Sequence, residues 1–195
     1  LGQPGFIDLL WEALDDTAAV PMGHTADNLA QKYDLPREEV DAFAAQSQQR
    51  YANALAAGFF DQEIAAFEES AGVFEGQSLK PRKYRLKGRE GICQDEHPRQ
   101  STLEQLAKLP AVFTKEGPTT AGNASGIVDG AAAAIIASGE YVRANGLKPI
   151  GKIRGFVSVG VEPEIMGIGP VPAIRSLLAQ AGLSIDDIDR FEINE

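Results

Sequence analysis

A polar, glycine-punctuated loop runs directly into a block of small and aliphatic residues at positions 117–138, with the sequence GPTTAGNASGIVDGAAAAIIAS. Residues this small let a ligand approach the main chain closely, but the same composition also serves tight packing between elements. Hydroxyl and amide groups that could bond a ligand come from Thr119, Thr120, Asn123 and Ser125. The fold must therefore place a buried segment beside a loop that either binds a ligand or packs closely.

Short helical and strand-like patterns alternate after this loop. Residues 140–145 and 172–181 favour helices, the second ending at Gly182, whereas residues 150–159 and 191–193 favour strands. Such alternation is typical of right-handed βαβ units on a sheet covered by helices. The second half of the chain therefore has the pattern of an α/β protein.

The block at 131–138 is ambiguous by itself. Its alanines favour a helix, while Ile135 and Ile136 and the short length suit a buried strand. Because the segments that follow alternate in the α/β manner, we predict a central strand at 131–138.

The first half of the chain predicts mainly helices. Residues 25–33 form a plausible helix with Thr25 as its N-cap, and residues 36–58 form the longest one. A capping box of Ser101 and Glu104 predicts a short helix up to Lys108. One face of the long helix is predicted to pack on a core and comprises Val40, Phe43, Ala44, Ser47, Tyr51, Ala54 and Leu55. Residues 7–14 would suit a short segment lying on a surface.

A basic island follows the long helix. It comprises Lys80, Arg82, Lys83, Arg85, Lys87 and Arg89. Charge runs are usually solvated surface, so a solvated hairpin is favoured over a phosphate site.

Composition excludes several classes of protein. The chain has 195 residues, a net charge of -10 and 44% hydrophobic residues. The acidic balance disfavours nucleic acid and anionic membranes, and no apolar run reaches the roughly 18 residues that span a bilayer. The single cysteine, Cys93, excludes an intrachain disulfide framework. Because the chain opens without Met or a signal pattern, we expect it to be part of a longer protein.

Few side chains in this sequence could run a reaction. His24 and His97 lie far apart and have no metal-ligand spacing, so no metal site is expected. Cys93 lies in the charged loop GREGICQDE and is expected to be a bystander. The glycine turn at 166–173, MGIGPVPA, lacks the lysine of a phosphate loop. The residues by themselves thus indicate a ligand-friendly loop without a complete catalytic set.

Six stretches taken together, in order, resemble the thiolase family, whose members make or cleave 3-ketoacyl-CoA. They are MGHTADNLAQKYDLPREEVDAFAAQSQQR at 22–50, GFFDQEI at 58–64, STLEQLAKLPAVF at 101–113, TAGNASGIVDGAAAAIIAS at 120–138, MGIGPVPAI at 166–174 and the terminal FEINE. The resemblance covers nearly the whole chain, which is similar to about the central half of a thiolase.

The resemblance implies a partial thiolase-like α/β fold. A mostly helical loop domain that covers CoA would occupy residues 1–127. Residues 128–148 would end the N-terminal thiolase domain, and residues 149–195 would begin its C-terminal twin, the two halves each having αβαβα layers.

Seven positions match those where thiolases bind CoA or the acyl chain. They are Met22, Arg99, Phe113, Ala121, Ser125, Gly126 and Met166. Arg99 would lie near the nucleotide, where its planar charge suits adenine stacking or phosphate. Ser125 would bond the pantetheine amide, and Met22, Phe113 and Met166 would form apolar walls.

Asn194 matches the asparagine of the family's Asn-Glu-Ala-Phe signature, which positions a water that helps to stabilise the thioester oxyanion. The nucleophilic cysteine would precede Leu1, and the signature histidine and the acid/base cysteine would follow Glu195. We therefore expect the 195-residue chain alone to be inactive.

The resemblance predicts an acyltransferase that takes CoA as substrate, holds no tightly bound cofactor and assembles as a homodimer or homotetramer. Its location would be the cytoplasm of a bacterium or an organelle matrix in a eukaryote. Two alternatives stay open: a non-catalytic thiolase-like protein that binds lipid or acyl-CoA, and a stand-alone interaction module.

Overall fold

The computed structural model describes residues 20–76, 79–86, 88, 90–126, 128 and 130–194. The segment predicted at 7–14 lies outside these residues, as do Lys87, Arg89 and Glu195. The helices are α1 (Met22–Lys32), α2 (Arg37–Ala56), α3 (Leu103–Ala107), α4 (Gly139–Ala144) and α5 (Pro170–Ala181), and the strands are β1 (Ala71–Gly76) and β2 (Leu79–Arg85). Short 3-10 segments form at Pro163–Ile168, which is kinked at Ile165, and at Ile185–Asp187.

The chain divides into two compact units. The first consists of the described parts of Leu1–Val40 and Pro110–Glu195, and the second is Asp41–Leu109. Helix α1 and the loop around residue 120 thus belong to the first unit, whereas the basic hairpin belongs to the second.

Helix α1 begins three residues before the predicted N-cap. Pro21 occupies the N-cap position, and the Thr25 hydroxyl donates to the Met22 carbonyl at 2.7 Å inside the first turn. Thr25 therefore uses its side chain within the helix instead of capping it, which corrects the prediction. The helix packs on the Pro163–Ile168 turn, where the Asn28 amide donates to the Glu164 carbonyl at 2.9 Å.

Helices α4 and α5 confirm the two helices predicted in the second half. The Ser138 hydroxyl caps α4 by accepting from the Tyr141 N–H at 3.1 Å. Helix α5 ends at Ala181 and is followed by Gly182, whose φ of +64° is a left-handed conformation that glycine adopts without strain.

The predicted strands at 131–138, 150–159 and 191–193 are wrong for the residues that the structure describes. None of the three segments forms a hydrogen-bonded strand, and Ile135 and Phe156 are 99% and 87% exposed. A strand exists only when a neighbour supplies the other half of its hydrogen bonds, and no described segment does so here. The hydrophobic pattern was recognised correctly, but these side chains remain uncovered.

Helix α2 agrees with the predicted long helix and ends just before Gly58, whose φ is +71°. Its predicted buried face is wrong in part, because Phe43 is 73% exposed while the polar Asp41 is buried. Tyr51 does pack, stacking on Phe60 with ring centroids 5.3 Å apart.

The basic island lies on an antiparallel hairpin, as predicted. Val73 of β1 pairs with Lys83 of β2, and Ala71 pairs with Arg85. The described basic residues, Lys80, Arg82, Lys83 and Arg85, are all exposed. An isolated bridge between Phe67 and Ile92 continues the pairing below the hairpin.

Helix α3 has a capping box one residue later than predicted. The Thr102 hydroxyl accepts from the Gln105 N–H at 3.2 Å, and the Gln105 side chain accepts from the Thr102 N–H at 2.9 Å. Ser101 and Glu104 are therefore not the capping pair. Leu106 is the buried anchor of this short helix.

Candidate functional site

The loop that follows Phe113 is tied to α1 by one buried carboxylate. Asp27 is 5% exposed, and its two oxygens accept four hydrogen bonds. Oδ2 accepts from the N–H and hydroxyl of Thr114 at 3.2 and 2.6 Å, and Oδ1 accepts from those of Thr119 at 3.3 and 2.6 Å. The carboxylate thus fixes both ends of the turn at 114–119.

The loop itself uses most of its polar groups internally. The Thr120 N–H donates to Asn123 Oδ1 at 2.7 Å, the Asn123 amide donates to the Pro118 carbonyl at 2.8 Å, and the Gly122 N–H donates to the Thr120 hydroxyl at 3.2 Å. Thr120 is fully buried. Of the four polar residues proposed to bond a ligand, three therefore build the loop, and Ser125 is the one whose side chain is exposed.

Met22 and Phe113 lie in the same unit, and the Phe113 ring packs against Gly23, the residue after Met22. Both side chains are half-buried, and a Cβ placed on Gly23 would overlap the Phe113 ring. The His24 ring lies 6.2 Å from that of Phe113, and its Nδ1 is buried without a hydrogen-bond partner among the described residues. These residues form a compact, mostly apolar wall beside the loop.

The remaining predicted residues of the first unit are accessible. Ala121, Ser125 and Asn194 are exposed and Gly126 is half-buried. Met166, at 37% exposed, lies on the 3-10 turn that packs against α1. The structure brings the Met166 turn, Met22, Phe113 and the loop into one unit, and it shows no hydrogen bond of the Asn194 side chain to another described residue.

Arg99 lies in the second unit, in a cleft of about 610 Å³. Its N–H donates to the Gln48 side chain of α2 at 2.9 Å. The walls of the cleft are Gln48, Tyr51, Ala52, Leu55, Asp61, Ile64, Ala66, Cys93, Gln94, Asp95, Pro98, Arg99 and Gln100. A cleft of this volume is large enough for a nucleotide-sized ligand.

Charges of both signs line this cleft. Arg99 brings a positive charge, and Asp61 and Asp95 bring two carboxylates. The Tyr51 hydroxyl donates to Asp95 at 3.0 Å. Partial burial raises the pKa of Tyr51 above its ordinary value of 10.0, and the hydrogen bond and negative charge of Asp95 raise it further. Tyr51 therefore stays protonated at neutral pH and holds Asp95 at the wall of the cleft.

Neither unit assembles a complete catalytic set among the described residues. Those residues hold no cluster of His, Cys, Asp and Glu with metal-binding geometry, and Cys93 is exposed and unbonded to another cysteine. Nor does any described helix have the length and apolar character required to cross a bilayer. The geometry supports binding, since small residues and apolar walls lie beside exposed polar groups.

Sequence reasoning missed the role of Asp27. Asp27 shares the buried face of α1 with Thr25 and Ala30. An acidic residue on a buried face needs partners, and that position was the available signal.

Comparisons with known proteins agree with the fold. The family models described as the thiolase N-terminal and C-terminal domains match residues 6–140 and 147–195. The mitochondrial 3-ketoacyl-CoA thiolase of Bos taurus is 49% identical over 190 residues, which are 96% of this chain and 44% of that protein.

Two solved structures are similar to this chain. The human mitochondrial 3-ketoacyl-CoA thiolase in complex with CoA has a TM-score of 0.74 at 46% identity, covering 93% of this chain and 42% of that one. The dimeric peroxisomal thiolase of Saccharomyces cerevisiae has a TM-score of 0.76 at 35% identity, covering 98% and 46%. This chain thus spans less than half the length of the relatives it matches. The predicted thiolase-like α/β fold is confirmed, and the chain belongs to the thiolase family.

Proposed function

We propose that this sequence is the CoA-binding part of an acyl-CoA acyltransferase. The enzyme would cleave 3-ketoacyl-CoA with CoA, or condense two acyl-CoAs, through a cysteine thioester. The observation that carries this proposal is the 49% identity with a 3-ketoacyl-CoA thiolase over 96% of the chain. No tightly bound cofactor is needed, since CoA is itself a substrate.

In the first unit, the wall beside the loop would hold pantetheine and the acyl chain. Met22, Phe113 and Met166 supply apolar surface, and the exposed Ser125 hydroxyl would bond the pantetheine amide. Ala121 and Gly126 have little or no side chain, so the ligand can approach the loop backbone there. The internally bonded Thr120 and Asn123 support this role because they keep the loop in one conformation.

In the second unit, the cleft around Arg99 would hold the nucleotide of CoA. Two carboxylates share its walls with Arg99, so a phosphate would meet repulsion as well as attraction. A neutral adenine ring stacked on the planar guanidinium suits this lining better.

Asn194 would act in the chemical step by positioning a water near the thioester oxygen. That step also needs a nucleophilic cysteine. Cys93, the single cysteine of the 195 residues, lies in the cleft assigned to the nucleotide and does not fit that role. We therefore expect residues 1–195 alone to bind CoA without turning it over.

The domain assignment, the assembly and the location belong to the same proposal. Residues 1–127 would be the loop domain, 128–148 the end of the N-terminal thiolase domain and 149–195 the start of the C-terminal one. A homodimer is supported by the dimeric yeast relative, and an organelle matrix, if the protein is eukaryotic, by the mitochondrial bovine relative.

The test is a thiolysis assay on the full-length protein that contains this sequence, following the CoA-dependent loss of 3-ketoacyl-CoA. We expect turnover in the wild-type protein and a kcat about 10²–10³ lower for Asn194→Ala, with little change in KM for CoA. Asn53→Ala, at an exposed site on α2, is the matched control and should behave as wild type.

Two other results would count against the enzyme. CoA binding without any turnover would favour the alternative, a non-catalytic protein that binds acyl-CoA. A full-length protein that neither binds CoA nor turns it over would contradict the proposal altogether.

A further inference from the structure

Asp27 contributes a buried charge to the first unit that the proposed chemistry does not use. It lies on the second turn of α1, one turn after Met22, and is 5% exposed. Removing a carboxylate from water is costly unless hydrogen bonds replace its hydration. A residue that meets this cost inside a ligand-binding unit calls for an explanation beyond packing.

Four donors replace the lost water, and all of them come from one short segment. Thr114 and Thr119 each give Asp27 a backbone N–H and a hydroxyl, with the hydroxyl distances both 2.6 Å. The two threonines stand at either end of a turn that is closed by a hydrogen bond from the Gly117 N–H to the Thr114 carbonyl at 3.2 Å. Each end of the turn is thus hydrogen-bonded to a different oxygen of Asp27.

The turn is built closely around the carboxylate. A Cβ on Gly117 would overlap Asp27 Oδ2 and Thr114 Oγ1. The carboxylate and the turn therefore fit each other without room for a side chain at position 117, and the position of one sets the position of the other.

The two ends of the turn continue directly into groups assigned to the ligand. Thr114 follows Phe113, whose ring already rests on Gly23 of α1. Thr119 precedes Thr120, whose N–H and hydroxyl organise the loop that carries Ser125. A single side chain therefore connects the helix of Met22, the ring of Phe113 and the loop of Ser125.

We infer that Asp27 is a positioning residue that holds the apolar wall and the pantetheine loop at the separation CoA requires. This inference rests on the proposed function. Asp27 does not touch the ligand; it acts through Thr114 and Thr119. The role differs from a purely structural one because its loss should weaken CoA binding in molecules that are still folded.

Four variants of the full-length protein test it. Asp27→Asn replaces one accepting oxygen with an amide donor. The N–H and the hydroxyl of one of the two threonines therefore lose their acceptor. Thr119→Val removes one hydroxyl at nearly constant shape, and Thr119→Ser restores it. Asp34→Asn makes the same chemical change as Asp27→Asn at an exposed site and is the matched control.

The measurements are KM for CoA, kcat per correctly folded active site and the melting temperature. We expect KM to rise about tenfold in Asp27→Asn and Thr119→Val, with kcat nearly unchanged. Thr119→Ser keeps the hydroxyl and should therefore have the wild-type KM for CoA. Asp34→Asn should also have the wild-type KM. If Asp27→Asn does not fold, the two threonine variants decide.

A lower melting temperature with an unchanged KM in the folded fraction would overturn the inference and leave the proposed function intact. A wild-type protein that neither binds nor cleaves CoA thioesters would instead overturn the proposed function and this inference with it.

Discussion

Gly23 is the residue of α1 against which the Phe113 ring of the candidate site packs. The ring of Phe113 occupies the space that a side chain at position 23 would need, so any Cβ there would overlap ring atoms. The neighbouring His24 leaves Nδ1 buried without a partner among the described residues. The packing of the wall thus requires glycine at position 23 as well as the aromatic ring of Phe113.

Substituting Gly23 tests this contact. Gly23→Ala should displace the Phe113 ring, lower the free energy of unfolding by about 1–3 kcal/mol through overpacking, and raise KM for CoA. Gly151→Ala is the control, since no described residue other than its two chain neighbours comes within 4 Å of the Cβ it would add. Thermal unfolding and steady-state kinetics of the full-length protein provide the measurement. Equal behaviour of the two variants would refute the proposed contact between wall and ligand.

Helices and strands of this chain differ in how far the sequence determines them. The helices could be predicted because their hydrogen bonds are local and their ends carry signals, such as Pro170 at the start of α5 and Gly182 after its end. The strands at 131–138 and 150–159 could not, since a strand needs a neighbour, and sequence periodicity reports apolar character without reporting that neighbour.

At the helix ends, the roles of single residues differ from the predicted ones for local reasons. Thr25 and Thr102 show how a hydroxyl can satisfy a backbone group at either of two nearby sites, so the pattern alone misses by one to three residues. In the loop, composition left ligand binding and close packing as alternatives. It could not reveal that Thr119 would be occupied by Asp27, a partner far away in sequence.

The capping box of α3 gives a sharp test at this scale. Thr102→Ala should destabilise the helix by about 1 kcal/mol, because it removes the hydroxyl that accepts from the Gln105 N–H. Ser101→Ala should change the free energy of unfolding very little, although the sequence pattern made Ser101 the predicted cap. Chemical denaturation of the two variants measures both values. A larger loss of unfolding free energy for Ser101→Ala than for Thr102→Ala would indicate that Ser101 is the cap.

Over the whole molecule, the most prominent feature is the amount of apolar surface left uncovered in the first unit. Ile135, Ile150 and Phe156 are almost wholly exposed, far beyond the scattered apolar residues of an ordinary soluble surface. Among the described residues, these segments also have no strand partner for their backbone groups, which favours pairing with other chains.

We therefore expect a polypeptide of residues 1–195 to self-associate. Phe156→Lys should reduce the association, while Ser158→Lys, which adds the same charge at an exposed polar site nearby, should reduce it less. Sedimentation velocity over a range of concentrations makes the comparison. A soluble monomer with a sharp melting transition would contradict the expectation and favour a stand-alone module.

The central claim is that the wall and loop of the first unit bind the pantetheine part of CoA. Hydrogen–deuterium exchange of the full-length protein with and without CoA measures this most directly. We expect slower exchange on CoA addition at residues 119–126, with no change in α4. Protection confined to other segments, in a protein that binds CoA, would contradict it.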